Sequence, residues 1–201
     1  MSQPLRRVAR TLLAMSPLLV AVAHQAAAEG NGLLGIYFDD RAGECETTAS
    51  PGQARTAYVV FTPDGDTRGG VTGASFRITV ENGDGFLFHS EVSIPPIQVG
   101  DALGPGTVVA GGECLTGLTV PIMRFQAQAL GGGTDVILRI EAHEDPKVSG
   151  LPCPLMTLCD GPIYTKICVQ TGRAVINPSG AVACGSSSES TDWGRVKALY
   201  R

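Results

Sequence analysis

Alternation of apolar and polar residues is the clearest pattern in this sequence. Within residues 73–81, every second position from Phe76 to Val80 is apolar and the positions between are polar. The same alternation runs through residues 122–129 and 136–143. A period of two indicates strands with one buried face and one face in water. Further strand candidates are residues 33–38, 56–62, 86–94, 107–110, 163–170 and 172–177.

Nine short strands separated by turn residues predict an all-β fold, an antiparallel β-sandwich. The 26 glycines and 13 prolines interrupt helical patterns before the C-terminal tail. Asn-Gly and Asp-Gly pairs close hairpins, so we expect the strands on either side of residues 82–85 to pair with each other. Residues 62–70 are expected to close a hairpin as a longer loop. Residues 143–162 are predicted to be a disulfide-pinned loop rather than a strand.

The first 28 residues have the features of a secretory signal peptide. Three arginines precede an apolar run at residues 12–23, and alanines occupy positions 26–28. The run is shorter than the roughly 20 residues that a membrane-spanning helix needs. A retained anchor is therefore the less favoured alternative. We expect cleavage after Ala28, with Ala23 as a second position.

Four segments follow from these patterns. After the signal peptide at residues 1–28, residues 29–184 form the β-sandwich domain, which has a suitable length for one domain with one core. Residues 185–190 are a serine-rich spacer, and residues 191–201 are an amphipathic basic tail.

The tail is the one segment after the signal peptide with helical spacing. Trp193, Val196 and Tyr200 recur at intervals of three and four residues, which predicts a short amphipathic helix. A helix this short is marginal alone in water. It therefore folds back on the sandwich, frays, or docks on a partner. As a docking segment it would use Trp193 and Tyr200 as anchors, with Arg195 and Lys197 against acidic groups.

The charge balance excludes one class of partner. The sequence has 15 basic and 19 acidic residues. Without the three arginines of the signal peptide, 12 basic residues remain against the same 19, a net charge of −7. Nucleic-acid binding needs a basic surface, so we expect no nucleic-acid partner.

Cysteines are expected to staple the domain. They are Cys45, Cys114, Cys153, Cys159, Cys168 and Cys184. An even number in an exported chain predicts three disulfides, although sequence alone leaves the pairing open. We expect Cys45 to pair with Cys114, and the other four, which crowd into the last third, to pair among themselves. No C-x-x-C pair occurs, so a zinc site is disfavoured.

The order of these features resembles that of a known fold. Ser50–Thr62, with the pattern PGxxxxxxVxFT, and Gly69–Glu81, with the pattern GVxGxxFxIxV, carry the resemblance. Both are similar to segments of cohesin-type β-sandwiches, which belong to the immunoglobulin-like architecture. The resemblance extends over about Leu34–Pro178. The chain also resembles small cysteine-bearing exported proteins of bacteria that have the same sandwich. The resemblance implies the sandwich fold. The six cysteines depart from the cohesin pattern, so neither dockerin recognition nor any functional residue is carried over.

Three side chains of metal-ligating type lie close together in the sequence. Glu141, His143 and Asp145 share one side of a strand if the strand continues that far. A solvated strand edge that runs into a loop at Pro146 is the favoured interpretation, and His89 is predicted to be ordinary surface. A metal-dependent hydrolase that uses Glu141, His143 and nearby aspartates is one functional alternative.

Catalytic motifs are missing from the sequence. It contains no G-x-S-x-G, no H-E-x-x-H and no phosphate-binding glycine loop. Asp39-Asp40 and the pair Asp64 and Asp66 are the remaining acidic candidates. Adjacent aspartates on turns do not form the cleft of a glycosidase. For Asp64 and Asp66, turn formation is favoured over calcium binding.

These observations favour a secreted, non-catalytic β-sandwich module without a cofactor, which binds a protein or a cell-envelope component. It would reside in the periplasm or outside the cell. A carbohydrate-binding module is the first alternative. Such a module would need a row of exposed aromatic rings, for which Tyr37, Tyr58 and Tyr164 are the candidates.

Overall fold

Two β-sheets packed face to face form the described part of the chain. The structure, a computed structural model, describes residues 31–160 and 165–181. The predicted signal peptide, spacer and tail lie outside these residues, as do Tyr164 and Cys184. The strands are β1 (Leu33–Tyr37), β2 (Glu46–Thr47), β3 (Ala54–Thr62), β4 (Val71–Glu81), β5 (Phe86–Ser93), β6 (Ile97–Asp101), β7 (Gly106–Leu115), β8 (Val120–Ala129), β9 (Val136–Glu141), β10 (Leu155–Leu158), β11 (Lys166–Cys168), β12 (Gln170–Thr171) and β13 (Arg173–Ile176).

The first sheet has the strand order β12-β1-β3-β8-β5. The second sheet is built around β4, whose first half pairs with β7 on one edge and β10 on the other. The second half of β4 pairs with β9. Further out, β6 pairs with β7, β11 with β10, β13 with β9, and β2 with β13. The predicted all-β sandwich is confirmed.

The core lies between the two sheets and is made of the inward residues of the alternating patterns. Phe76 and Ile78 of β4 and Phe125 of β8 are no more than 2% exposed, as the alternation predicts. The largest fully buried side chains are Phe61, Phe76, Phe125, Leu34, Ile36, Ile122, Met123, Leu138, Leu155, Met156, Ile176 and Val59. One apolar cluster joins the two sheets.

The hairpin predictions are wrong. β4 and β5, on either side of residues 82–85, belong to opposite sheets, and so do β3 and β4 on either side of residues 62–70. Asn82 has a φ of 58°, so the turn residue behaves as expected. A turn residue reverses the chain but does not select which strands pair, and here both turns carry the chain across the core.

The expected loop at residues 143–162 contains regular structure. β9 and β10 lie along the same edge of β4, so residues 142–154 interrupt what would otherwise be one long strand. They include a four-residue helix, α1 (Pro146–Ser149), which Asp145 caps by accepting from the Lys147 N–H at 2.8 Å. A strand as short as β10 leaves no alternating pattern to detect. The pairing is also not purely antiparallel, because β1–β12 and β2–β13 are parallel.

Two disulfides join four of the five described cysteines, and the predicted Cys45–Cys114 pair is wrong. Cys114 pairs with Cys159, and Cys153 pairs with Cys168. Cys45 is also disulfide-bonded. The first bridge links the end of β7 to the residue after β10, which flank β4 on opposite edges. It passes over Gly70, where an added Cβ would meet the Cys114 sulfur, so a side chain at this position would collide with the bridge.

None of the helices described here is long or apolar enough to cross a membrane.

Candidate binding surface

The outer face of the second sheet carries an apolar surface at its β6 edge. Ile97 pairs with Ala110, and Val99 pairs with Val108, so these four side chains share one side of the two strands. We call these four residues the β6–β7 face. The opposite side of the same strands faces the core, because Val109, which pairs with Gln98, is completely buried.

Exposure distinguishes this surface from the other described strands. Val99 is 66% exposed and Ile97 is 54% exposed, the highest values for large apolar residues in the described strands. Both belong to an edge strand that pairs only with β7. Contiguous exposed apolar side chains are candidate interaction sites, and Ile97 and Val99 lie two residues apart on one side of this edge strand.

Ion pairs lie on the same outer surface of the second sheet. Nearest to the β6–β7 face, Arg77 contacts Glu141 at 2.7 Å and Glu144 at 3.7 Å. Further along β4, Arg139 contacts Glu81 at 2.7 Å. These pairs are partly exposed, so each adds little to stability. The outer surface of the second sheet therefore combines an apolar area with a charged border, the arrangement of a protein interface.

The turn that joins β6 to β7, residues 102–106, is held from three directions. The Ile78 N–H of β4 donates to the Ala102 carbonyl at 2.6 Å, and the Glu144 N–H donates to the Pro105 carbonyl at 2.8 Å. From β5, the Glu91 carboxylate accepts from the Ala102 N–H at 3.0 Å and from the Leu103 N–H at 2.8 Å. These contacts position β6 and its exposed side chains.

A bulge in β5 aims Glu91 at this turn. The register shifts between His89 and Val92, and Ser90 has a φ of 59°. Glu91 lines a 370 Å³ cavity, whose walls are Phe88, His89, Glu91, Gly100, Asp101 and Leu103. Burial raises the pKa of Glu91 above its ordinary value of 4.5, against the two backbone hydrogen bonds, and the neighbouring Asp101 carboxylate raises it further.

Comparisons with known proteins show where this fold occurs. No protein-family model matches the chain, and neither does any curated protein. Among solved structures, the seventh type I cohesin of ScaB from Pseudobacteroides cellulosolvens matches with a TM-score of 0.53 at 8% identity, over 76% of this chain and 95% of that one. The chain has a cohesin fold.

Two further cohesins support the same conclusion. A non-cellulosomal cohesin from the archaeon Archaeoglobus fulgidus matches with a TM-score of 0.50 at 8% identity, over 75% of this chain and 92% of that one. The sixth cohesin of scaffoldin B from Acetivibrio cellulolyticus, solved in complex with a dockerin, matches with a TM-score of 0.50 at 11% identity, over 74% of this chain and 99% of that one. Identities this low show the fold alone.

In this fold, each of the three side chains predicted as possible metal ligands has its own structural role. Glu141 pairs with Arg77, and Asp145 caps α1. The Asp145 N–H donates to His143 Nδ1 at 3.0 Å, and the His143 ring packs on the β6–β7 turn, where a Cβ on Gly106 would lie 2.6 Å from it. Among residues 31–160 and 165–181, no three His, Cys, Asp or Glu side chains are arranged to hold a metal ion.

The tyrosines of the cohesin fold do not form an exposed platform within the described residues. Tyr37 and Tyr58 are cross-strand neighbours on the outside of the first sheet. Tyr37, however, is only 5% exposed and packs with Cys45 and Val60. Burial, and next the nearby Asp39 carboxylate, raise its pKa. A buried ring cannot stack on a sugar, so these two residues do not supply the aromatic row that carbohydrate binding needs.

Asp64 has a structural role, as the turn interpretation predicts. It caps the 3₁₀ helix Gly65–Gly69 in a capping box with Thr67. The hydrogen bond from the Gly65 N–H lowers the pKa of Asp64, and the Arg68 guanidinium lowers it further. Helix capping occupies this carboxylate. The predicted binding residues of the tail, Trp193, Arg195, Lys197 and Tyr200, lie outside the described residues and stay a prediction.

Replacing Glu91 with glutamine is expected to change how stability depends on pH. A carboxyl group whose pKa is raised in the folded state stabilises that state fully below about pH 4.5. This contribution to stability is lost as the pH rises through the folded-state pKa. Glutamine does not titrate, so the stability of Glu91→Gln relative to the unaltered protein should increase from acid to neutral pH. Urea unfolding across about pH 4–8 measures this. A pH-independent difference would contradict the prediction.

Proposed function

We propose that this protein is a secreted, non-catalytic module that binds another protein through the β6–β7 face. The exposure of Val99 and Ile97 beside Val108 is the observation that carries the proposal. Contiguous exposed apolar side chains mark interaction sites, and their burial on a partner would supply the driving force. The ion pairs of Arg77 with Glu141 and Glu144 would form part of the polar rim of the contact.

The fold and the cysteines support this proposal. The Acetivibrio cellulolyticus cohesin with the same fold was solved in complex with a dockerin, so the cohesin sandwich is a suitable scaffold for protein recognition. Disulfides persist in oxidising compartments, and the two bridges described here support residence in the periplasm or outside the cell. The surface that the partner would cover is apolar with a charged border.

Replacing Val99 with glutamate is expected to weaken partner capture by roughly tenfold or more, because a central interface contact is worth about 1.4 kcal/mol or more. The carboxylate would have to be desolvated on binding. The unaltered chain and Val99→Glu are each used to capture proteins from a native envelope fraction. Captured proteins are identified by mass spectrometry. Binding of each purified partner to the two chains is then titrated.

Leu87→Glu is the matched control. Leu87 is 48% exposed on β5 in the other sheet, so the same change of charge there should leave capture intact. A partner that binds both variants as well as the unaltered chain does not use the β6–β7 face. Capture of nothing by either the unaltered chain or a chain that ends at Ser186 would remove the proposed function.

A further inference from the structure

The β6–β7 face has no occupant among the described residues, and the chain supplies a candidate in its own sequence. Residues 182–201 follow the last described residue. Their last nine positions contain four large apolar residues, Trp193, Val196, Leu199 and Tyr200. Moving apolar side chains of this size from water onto an apolar surface lowers the free energy. The exposed Val99 and Ile97 provide such a surface.

The path from the end of the described chain to this face is short enough. The Ser179 N–H donates to Asp135 at 2.8 Å, so the chain leaves beside the start of β9. Along β4, the distance from the Glu81–Ile137 pair to the Ser75–Val108 pair is six residues, about 20 Å. Across the strands, the distance from β13 to β6 is four strand spacings, about 19 Å.

The direct distance is therefore about 28 Å on these spacings. The twelve residues from Val182 to Trp193 can span up to about 40 Å when extended. Trp193 can reach the face, and the residues that follow it can lie along β6.

Charge favours the same placement. The charged residues within β6 and β7 are Asp101 and Glu113, both acidic and both exposed. The segment from Trp193 to the end contains Arg195, Lys197 and Arg201 and no acidic residue. A basic segment with apolar anchors thus matches an apolar surface with acidic ends.

We propose that residues 191–201 bind to the β6–β7 face of their own molecule, with Trp193 against Val99 and Ile97. Because the segment is tethered, it competes at an effective concentration that reaches millimolar for a short connection. A partner of this face would first have to displace the segment, so the segment would regulate partner binding. This regulatory role rests on the proposed function.

Trp193 is the only tryptophan in the sequence, so its fluorescence reports the contact directly. In the exported chain, residues 29–201 with its disulfides formed, the emission should be blue-shifted and poorly quenched by acrylamide. Val99→Glu and, as a milder second variant, Ile97→Ser should shift the emission to the red and increase quenching. Leu87→Glu should change neither. Circular dichroism confirms that each variant is folded before it is compared.

The opposite results overturn the inference. Solvent-like emission from the folded, unaltered chain would show that Trp193 does not dock. Blue-shifted emission that both β6 variants leave unchanged would place it on another surface. Partner capture gives a separate readout: a chain that ends at Ser186 should bind the partner more tightly than the full chain. Docking without any captured partner would remove the proposed function and leave the intramolecular contact established.

Discussion

Replacing Phe125 with alanine is expected to lower the free energy of unfolding by about 3–5 kcal/mol, the cost of removing a buried aromatic ring. Phe125 is completely buried at the centre of β8 and belongs to the cluster that joins the two sheets. β8 pairs with β3 on one edge and β5 on the other, which restricts collapse around the cavity. A loss of this size is a large part of the stability of a single domain.

Chemical denaturation of residues 29–201 measures this effect through the midpoint and slope of unfolding. Gln126→Ala is the control, because Gln126 follows on the same strand, faces outward and is only partly buried. It should change stability by about 0.5 kcal/mol or less. Equal losses from the two variants would mean that the inner and outer faces of β8 are assigned incorrectly.

Removing the Cys114–Cys159 bridge by two serine substitutions is expected to cost about 4 kcal/mol on the loop-closure model, with measured values for native disulfides at roughly 2–5 kcal/mol. The bridge closes a loop with a sequence separation of 45 residues, so it restricts the unfolded chain strongly. It also ties β7 and β10 together across β4. Denaturation under non-reducing conditions compares the variant with the unaltered chain.

The Cys153–Cys168 bridge provides the internal comparison. Its sequence separation is 15 residues, for which the same model gives a smaller loss, about 3 kcal/mol. It joins the end of β11 to a residue just before β10, at an edge of the sheet. If its removal costs more than removal of Cys114–Cys159, stabilisation by restriction of the unfolded chain is not the dominant effect.

The sequence predicted the strands whose apolar face meets the core. Phe76 and Ile78 alternate with polar residues because one side of β4 is buried and the other is not. β6 was missed although Ile97 and Val99 also alternate, because the strand is short and directly follows two prolines. Its apolar side faces solvent rather than the core. The residues that carry the proposed function were therefore missed along with their strand.

The cysteine pairing and the roles of the charged residues depend on which strands become neighbours. Cys114 and Cys159 meet because β7 and β10 flank β4, an arrangement that turn residues do not encode. Glu141 and Arg77 meet through the β4–β9 register, and His143 meets Gly106 through the β6–β7 turn. Local spacing in the sequence suggested a shared metal site, whereas contacts between distant segments give each group its own partner.

The two parallel strand pairs set the order in which the fold can be completed. β1 pairs with β12, and β2 pairs with β13. The first two strands of the described chain therefore need the last two strands to complete their pairing. Neither pair can form until residues 170–176 are available to fold. Contacts between such distant segments are slow to form. The sandwich should therefore close only once β12 and β13 are in place, and a chain truncated before β12 would leave β1 with an unpaired edge.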